Sequence, residues 1–396
     1  MKRRLSPLLA AIRLASVIPS AVALAIVLAV AIPARSSRRP KYGGVLRVEL
    51  AAIVNSVDPG APAANLGEAA ARQEIDELLY EHRNPDGTFA GVAGAGPFRL
   101  AEWEPGRHAV LAANPECAGG KPFLDSIEIQ LGRADRDRML DLELGKADFA
   151  PLSPEEARQA RDRGIRVSVS QPDELLAIVF LAGHSPTQDA RMGHALSNAI
   201  DRAAIVNFIL QKEGEPAGGL LPEWSSGTAF LFSTAVDVSA ARALWGQIAG
   251  SPKMALGYDS GDPLEQAVAE RIVVNAREAG IALHAQAVSG MASIAATGVD
   301  TRLVRLRMNS PDPGEALANV QAALAPLAGL DAPSLSGSAA PEQVYERERT
   351  MVNGYRVVPL VWLPEVYGLG PRVRNWSAPA PGGPWPFADV WLGDAQ

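Results

Sequence analysis

The sequence predicts a mixed α/β chain of two or three domains. Its 396 residues correspond to that many domains at about 150 residues each. Hydrophobic residues make up 47% and charged residues 20%, the balance of a chain with a packed core rather than a disordered one. Strand-like and helix-like periods alternate along the body, and residues 252–288 hold a complete strand–helix–strand unit.

In order, Val45–Leu50 reads as a strand and Glu68–Tyr80 as a helix with Ile75, Leu78 and Leu79 on one side. Turn residues follow in Asn84-Pro85-Asp86-Gly87 and at Gly91, Gly94 and Gly96. Phe98–Trp103 and His108–Ala112 flank Glu104-Pro105-Gly106, a hairpin pattern. Ile127, Ile129 and Leu131 alternate as in a half-buried strand. Arg136–Leu144 is a helix ended by Gly145. The next starts at Ser153-Pro154-Glu155-Glu156, with a cap, a proline at the first position and acids in the first turn, and stops at Gly164. Arg166–Ser170 and Leu175–Leu181 are strands; Asp189–Ala199 and Arg202–Leu210 are helices, the second capped by Asp201.

The clearest local unit begins with the strand Lys253–Gly257. Asp262-Pro263-Leu264-Glu265 then opens a helix on which Leu264, Val268 and Ile272 step by four. Gly280 ends that helix and Ile281–Ala287 returns as a strand, which predicts a parallel βαβ crossover. Residues 324–341, rich in Ala, Pro, Gly and Ser, read as a surface loop. Glu342–Met351 is a charged helix, Val357–Leu363 an apolar strand, and Trp376–Trp391 an irregular terminal wrap. Strands at both ends of the body with helices between predict mixed sheets.

The amino terminus differs from the body. Lys2, Arg3, Arg4 and Arg13 precede an uncharged run from Leu14 to Ala34. A basic start with an apolar stretch is the export-signal pattern, yet about 20 such residues also suffice to span a bilayer. Residues 1–34 therefore read as a signal peptide or a membrane anchor, and residues 35–41 as a basic linker. The whole chain carries 37 basic and 44 acidic residues, and the body alone is more acidic still, which argues against a nucleic-acid protein.

The single cysteine, Cys117, excludes an internal disulfide and a cysteine-built zinc site. There is no G-x-S-x-G, H-E-x-x-H, P-loop or C-x-x-C signature. Gly91, Gly94 and Gly96 approach a dinucleotide loop but read as a plain turn. His184, Ser185 and Asp189 lie within six residues, whereas a triad is assembled from distant segments. The five histidines show no metal-ligand spacing, and Cys117 beside Gly119-Gly120 reads as a turn cysteine. An exported, acidic α/β chain without catalytic residues points to a binding protein, with no cofactor, no metal and no enzyme activity expected.

Several stretches, taken in order, carry a resemblance. They are Tyr42-Gly43-Gly44-Val45-Leu46-Arg47; Val57-Asp58-Pro59; Leu79-Tyr80-Glu81; Pro85-Asp86-Gly87; and Gly94-Ala95-Gly96-Pro97-Phe98-Arg99-Leu100. Trp103-Glu104-Pro105-Gly106, Asn114-Pro115 and Gly119-Gly120-Lys121-Pro122-Phe123-Leu124-Asp125 continue the series. Leu144-Gly145-Lys146-Ala147-Asp148, Ala195-Leu196-Ser197-Asn198-Ala199-Ile200-Asp201-Arg202 and Val357-Val358-Pro359-Leu360 complete it. Over residues 42 to 393 the chain resembles the family 5 extracellular solute-binding proteins of ABC importers, the peptide- and nickel-binding group. That resemblance implies a two-lobed, type II periplasmic-binding-protein-like fold. Lobe 1 would be residues 42–180 and 358–396, lobe 2 residues 181–357, with hinge strands near Leu176–Leu181 and Pro359–Trp362. The peripheral small domain would be missing, since Gly87 and Gly94 are seven residues apart.

The same resemblance implies a solute-binding component that captures a peptide or other solute between its lobes and delivers it to ABC permease subunits. It would be periplasmic, either secreted or tethered to the inner membrane through residues 14–34. Peptide binders of the family place an acid before an Asp-Pro-like turn. Here the stretch is Met308-Asn309-Ser310-Pro311-Asp312-Pro313, which sets Asn309 at the acid's position; an amide accepts a hydrogen bond from an ammonium but does not pair its charge. Asn309 and Asp312 are the expected polar ligand contacts. Trp362, Tyr367 and Trp224 are aromatic candidates for stacking on ligand, with core packing as the alternative. Two other readings stand beside transport: a repurposed envelope scaffold without a transport role, and, on His184 and Cys117 alone, an envelope hydrolase.

Overall fold

Two mixed sheets organise the body. In the computed structural model the described residues are 40–58, 61, 66–80, 82–83, 89–90, 95–183, 189–250, 252–288, 298–308, 310–331, 339–381 and 383–394. In chain order the strands are β1 (Val45–Glu49), β2 (His82–Arg83), β3 (Phe89–Ala90), β4 (Phe98–Glu104), β5 (His108–Ala113), β6 (Ser126–Gln130), β7 (Phe149–Pro151), β8 (Arg166–Val169), β9 (Glu174–Phe180), β10 (Glu215–Pro216), β11 (Met254–Asp259), β12 (Leu283–Val288), β13 (Thr301–Arg307), β14 (Val357–Leu363), β15 (Val366–Leu369), β16 (Val373–Arg374) and β17 (Trp391–Leu392). The helices are α1 (Leu66–Leu79), α2 (Asp135–Glu143), α3 (Pro154–Asp162), α4 (Ala190–Ala199), α5 (Arg202–Ala204), α6 (Glu223–Ser226), α7 (Val238–Trp245), α8 (Pro263–Glu278), α9 (Pro313–Ala328) and α10 (Pro341–Asn353).

One sheet has seven strands in the order β4-β5-β6-β1-β7-β15-β8, the other six in the order β10-β14-β9-β13-β11-β12. β1 runs parallel to β6 and β7, and β11 parallel to β12 and β13; the remaining main pairings are antiparallel. The predicted βαβ unit is present as β11, α8 and β12. Every residue of β14, and all of β9 except Glu174, is buried, as expected of strands covered on both faces. Helices α4, α7 and α8 pack on one face around Leu176, Ile178 and Leu360. Helices α9 and α10 cover the other around Leu175, Ala177 and Trp362. The seven-stranded sheet buries Leu46, Val48, Ile127 and Ile129 against Ile75 and Leu78 of α1.

Local chemistry fixes the ends of the elements. Ser153 Oγ accepts the Glu156 N–H at 3.3 Å while the Glu156 carboxylate accepts the Ser153 N–H at 2.7 Å, a reciprocal cap for α3. Gly96 must be glycine, because a Cβ there would lie 2.7 Å from the backbone of Leu78, Leu79 and Tyr80. Where the peripheral domain is expected to be missing, the described backbone contains only the short β2–β3 pair. His184 and Asn309 lie outside the described residues. Cys117 sits in a turn, its carbonyl accepting from the Gly120 N–H at 2.9 Å.

Some expectations are corrected. The loop over 324–341 is helical at both ends. α9 continues to Ala328 through Pro326 and stops at Gly329, whose φ is 63°; alanine and leucine propensity carry the helix past a proline that lies within its last turn. The helix over 202–210 is one α-turn followed by a π-helical turn, Ile205–Ile209. The hinge strands β9 and β14 belong wholly to the six-stranded sheet, where they pair with each other. The chain passes between the sheets just before β9 and just after β14. The amino-terminal stretch 1–34, expected to be a signal peptide or anchor, lies outside the described residues; among those described, no helix is long and apolar enough to cross a membrane.

Candidate functional site

The two passages between the sheets run side by side. The Ser170 N–H donates to the Glu365 carbonyl and the Glu365 N–H to Ser170 Oγ, both at 2.9 Å. The Asp173 N–H donates to the Leu363 carbonyl at 3.1 Å, and the Met308 N–H to the Asp173 carbonyl at 2.7 Å. This crossing brings the start of β9, the ends of β13 and β14, the start of β15 and the middle of α1 to one place.

Charged side chains gather there. Arg307, the last residue of β13, donates to the Glu74 carboxylate of α1 at 3.2 Å and to the Glu365 carboxylate between β14 and β15. The Tyr367 hydroxyl donates to the other oxygen of Glu365. Two residues back along β13, and so on the same face, Arg305 donates to Glu174 and to Asp262 at 2.7 Å. The Arg307–Glu74 contact joins the two sheets. A second such contact runs from Arg161 of α3 to Glu213.

Burial and mutual charge set the protonation of this cluster. Burial pushes the Glu74 carboxyl well above the usual range; repulsion from Glu365 adds to this and Arg307 opposes it. Its Oε2 has no hydrogen-bond partner among the described residues. Burial works against Arg305 and Arg307, but Glu174 and Asp262 hold the first, and Glu365, Glu174 and Glu74 the second, above the usual arginine value. Burial, then Glu365 and Glu74, raise the Tyr367 phenol, so it stays an O–H donor. Acids outnumber guanidinium groups here, which favours a cationic visitor.

The sequence candidates fall around this cluster in different ways. Tyr367 is part of it, and its ring also packs at 5.3 Å on Phe149 and 5.2 Å on Trp376 in an aromatic core. Trp224 is half-buried and its indole N–H donates to the Pro172 carbonyl, in the first crossover, at 2.8 Å. Trp362 is only 2% exposed and packs between the sheet and α9–α10; its Nε1 has no partner among the described residues. Asp312 caps α9, accepting the Glu315 N–H at 2.8 Å. Glu74, Glu365 and Arg307 escaped sequence reading. The available signal was a carboxylate four residues before Leu78 on the apolar side of α1, and two arginines at spacing two closing an apolar strand.

Comparisons with known proteins agree with this architecture. The family model for bacterial extracellular solute-binding proteins, family 5, middle region, matches residues 56–329. A probable D,D-dipeptide-binding periplasmic protein of Escherichia coli is 29% identical over 195 residues, 47% of this chain and 37% of that relative. The match thus spans well under half the length of that curated relative. Among solved structures, the ABC transporter substrate-binding protein CtaP of Listeria monocytogenes aligns at TM-score 0.70 and 14% identity, covering 89% of this chain and all of that one. The oligopeptide-binding protein AppA of Bacillus subtilis, in complex with a nonapeptide, aligns at 0.62 and 13%, covering 90% and 100%. At such identities the structures establish the fold, a two-lobed one, and the family match establishes kinship: this chain belongs to the family 5 bacterial extracellular solute-binding proteins.

Proposed function

We propose that this chain is the solute-capturing component of an ABC importer, that it takes a peptide or peptide-like solute between its two sheets, and that it presents the closed form to a permease. The observation that carries this reading is the Arg307 guanidinium shared between Glu74 and Glu365 at the paired crossovers. Separating Glu74 from Arg307 leaves a buried carboxyl, whose proton Arg307 no longer draws off, beside a guanidinium that Glu365 still holds. A zwitterion supplies the complementary pair: its ammonium takes over from Arg307 in drawing Glu74 to the carboxylate form, in place of the acid that Asn309 does not provide, and its carboxylate meets Arg307. Only a ligand that favours the closed arrangement shifts the chain toward it. Asp312 is held by its helix cap, so it is the weaker candidate contact; Tyr367 orients Glu365, and Trp224 and Trp362 support the wall behind it.

In this reading residues 1–34 export the chain or tether it to the inner membrane, and the lobes are the two sheets with their helices. The second reading, a scaffold kept in the envelope without transport, draws on one observation: protein carboxylates already match Arg307. Thermal unfolding of the full-length chain with dipeptides, tripeptides, sugars and nickel chelates separates the two. A rise of several degrees with peptides supports capture. A cooperative transition that no peptide moves overturns it.

A further inference from the structure

The far end of the six-stranded sheet carries a second arrangement that the solute cleft does not use. β10 pairs with β14 only at Val361 and Trp362, and the Ala217 N–H reaches the Leu360 carbonyl. Among the described residues, the outer edge of β14 from Val357 to Pro359 therefore has no strand beside it. Such an edge needs other partners. Arg202 supplies one: its Nε donates to the Pro359 carbonyl at 2.9 Å, Nη1 to the Ser197 carbonyl at 3.0 Å and Nη2 to Ser197 Oγ at 3.0 Å.

A guanidinium has five N–H groups, so these three bonds leave two. Arg202 is 2% exposed, and no ion pair to it occurs among the described residues. Burial alone lowers its pKa, to about 10, with no carboxylate offsetting it. A buried charge without a counter-charge is costly, so the site is short of an anion.

The same guanidinium lines a cavity of about 300 Å³, roughly ten waters' worth of liquid volume. Asn198, Tyr345 and Tyr355 line it too, and Arg349 of α10 joins them from a half-exposed position where its ion-pair partner is the exposed Glu346. Among the described residues no carboxylate lines it. The Tyr355 wall is rigid: its ring stacks on His194 at 4.1 Å, and a Cβ on Gly193 would lie 2.0 Å from its carbonyl oxygen. The cavity is thus a walled space with two guanidinium groups and hydroxyl and amide donors. Val357–Pro359 lie roughly four to six residues along β14 from Leu363 and the crossover, about 13–20 Å at strand spacing.

We propose that this cavity binds a small oxyanion, with Arg202 as the fixed buried partner and Arg349 as the partner at the mouth. The inference stands apart from the peptide reading, because none of its residues belongs to the crossover cluster. Bound there, an oxyanion would complete Arg202's hydrogen bonds and supply its missing charge. It would also tie α4, α5 and α10 to the open edge of β14.

The test is thermal unfolding and calorimetric titration of the full-length chain with inorganic phosphate, sulfate, acetate and citrate, against sodium chloride at matched ionic strength. At least one oxyanion is expected to raise the melting temperature by two degrees or more above the chloride control. Phosphate and sulfate responses would mark a tetrahedral ligand, acetate and citrate responses a carboxylate. Because Arg202 variants can fail to fold, the comparison uses Asn198→Asp and Arg349→Ala. Affinity is expected to fall at least tenfold in the first and at least threefold in the second; a reduction in either supports the site. The proposal is overturned if no oxyanion acts beyond chloride, or if both variants respond as the parent does.

Discussion

The two ends of the six-stranded sheet bury arginine in opposite ways. At the crossover end, Arg305 and Arg307 are matched by Glu174, Asp262, Glu365 and Glu74. At the other end Arg202 donates to two carbonyls and a hydroxyl. A guanidinium held within this fold thus serves in two ways. Matched in part by Glu74, which comes from the helix on the other sheet, Arg307 ties the placement of the two sheets to charge. Matched only by neutral oxygens, Arg202 closes a strand edge and keeps its charge available.

Removing the matched cation should have the largest effect. Arg307→Ala leaves Glu74 and Glu365 facing each other, and breaking a buried pair from one side costs about 3–5 kcal/mol. A quarter of the Arg307 side chain is still exposed, so solvent screening reduces the expected loss to about 2–3 kcal/mol in urea unfolding. Adding Glu74→Gln should restore part of it; a double variant no better than the single one would break the coupling argument.

Glu348 is a carboxyl buried without a cation beside it among the described residues. It is fully buried, its Oε1 accepts the Leu220 and Leu221 N–H groups at 2.6 and 2.9 Å, and burial raises its pKa to about 7 while those two bonds pull it down. Below the unfolded value of about 4.5 both states hold the proton and there is no penalty. Between about 4.5 and 7 the folded state holds it and the unfolded state does not, so stability falls as pH rises, by at most about 3 kcal/mol. Glu348→Gln should therefore raise the melting temperature at pH 8 and have little effect at pH 4.5. A gain that does not depend on pH would contradict this assignment.

Smaller effects are expected at the cap and the tryptophan. Asp312→Ala removes the α9 cap and should cost about 1 kcal/mol without changing the peptide response; a lost response would restore Asp312 as a ligand contact. Trp224→Phe removes the bond to Pro172, worth about 0.5–1.5 kcal/mol, and should loosen the first crossover, read as faster amide exchange at Asp173.

Local patterns made much of the fold legible. The Ser153 cap, the hairpin around Pro105-Gly106 and the unit from Lys253 to Ala287 are set by neighbours in sequence, and they stand where the residues put them. Helix α9 was hidden by Pro326 and by an alanine-rich composition that reads equally as loop. The site was harder to see. Tyr367 and Trp224 are legible as aromatics able to stack on a ligand, but Glu74 and Arg307 are 233 positions apart, and only the folded chain brings them together. Arg202 looked like the residue after a helix cap, since its cavity depends on strand β10 being too short to cover Pro359.

The most direct test of the cleft is calorimetric titration of the full-length chain with a dipeptide and tripeptide panel, in parallel with Glu74→Gln. If the Glu74–Arg307–Glu365 cluster is the solute site, the parent binds at least one peptide and the variant binds it at least tenfold more weakly. Peptide binding of equal affinity in both proteins would contradict that assignment and place the solute elsewhere.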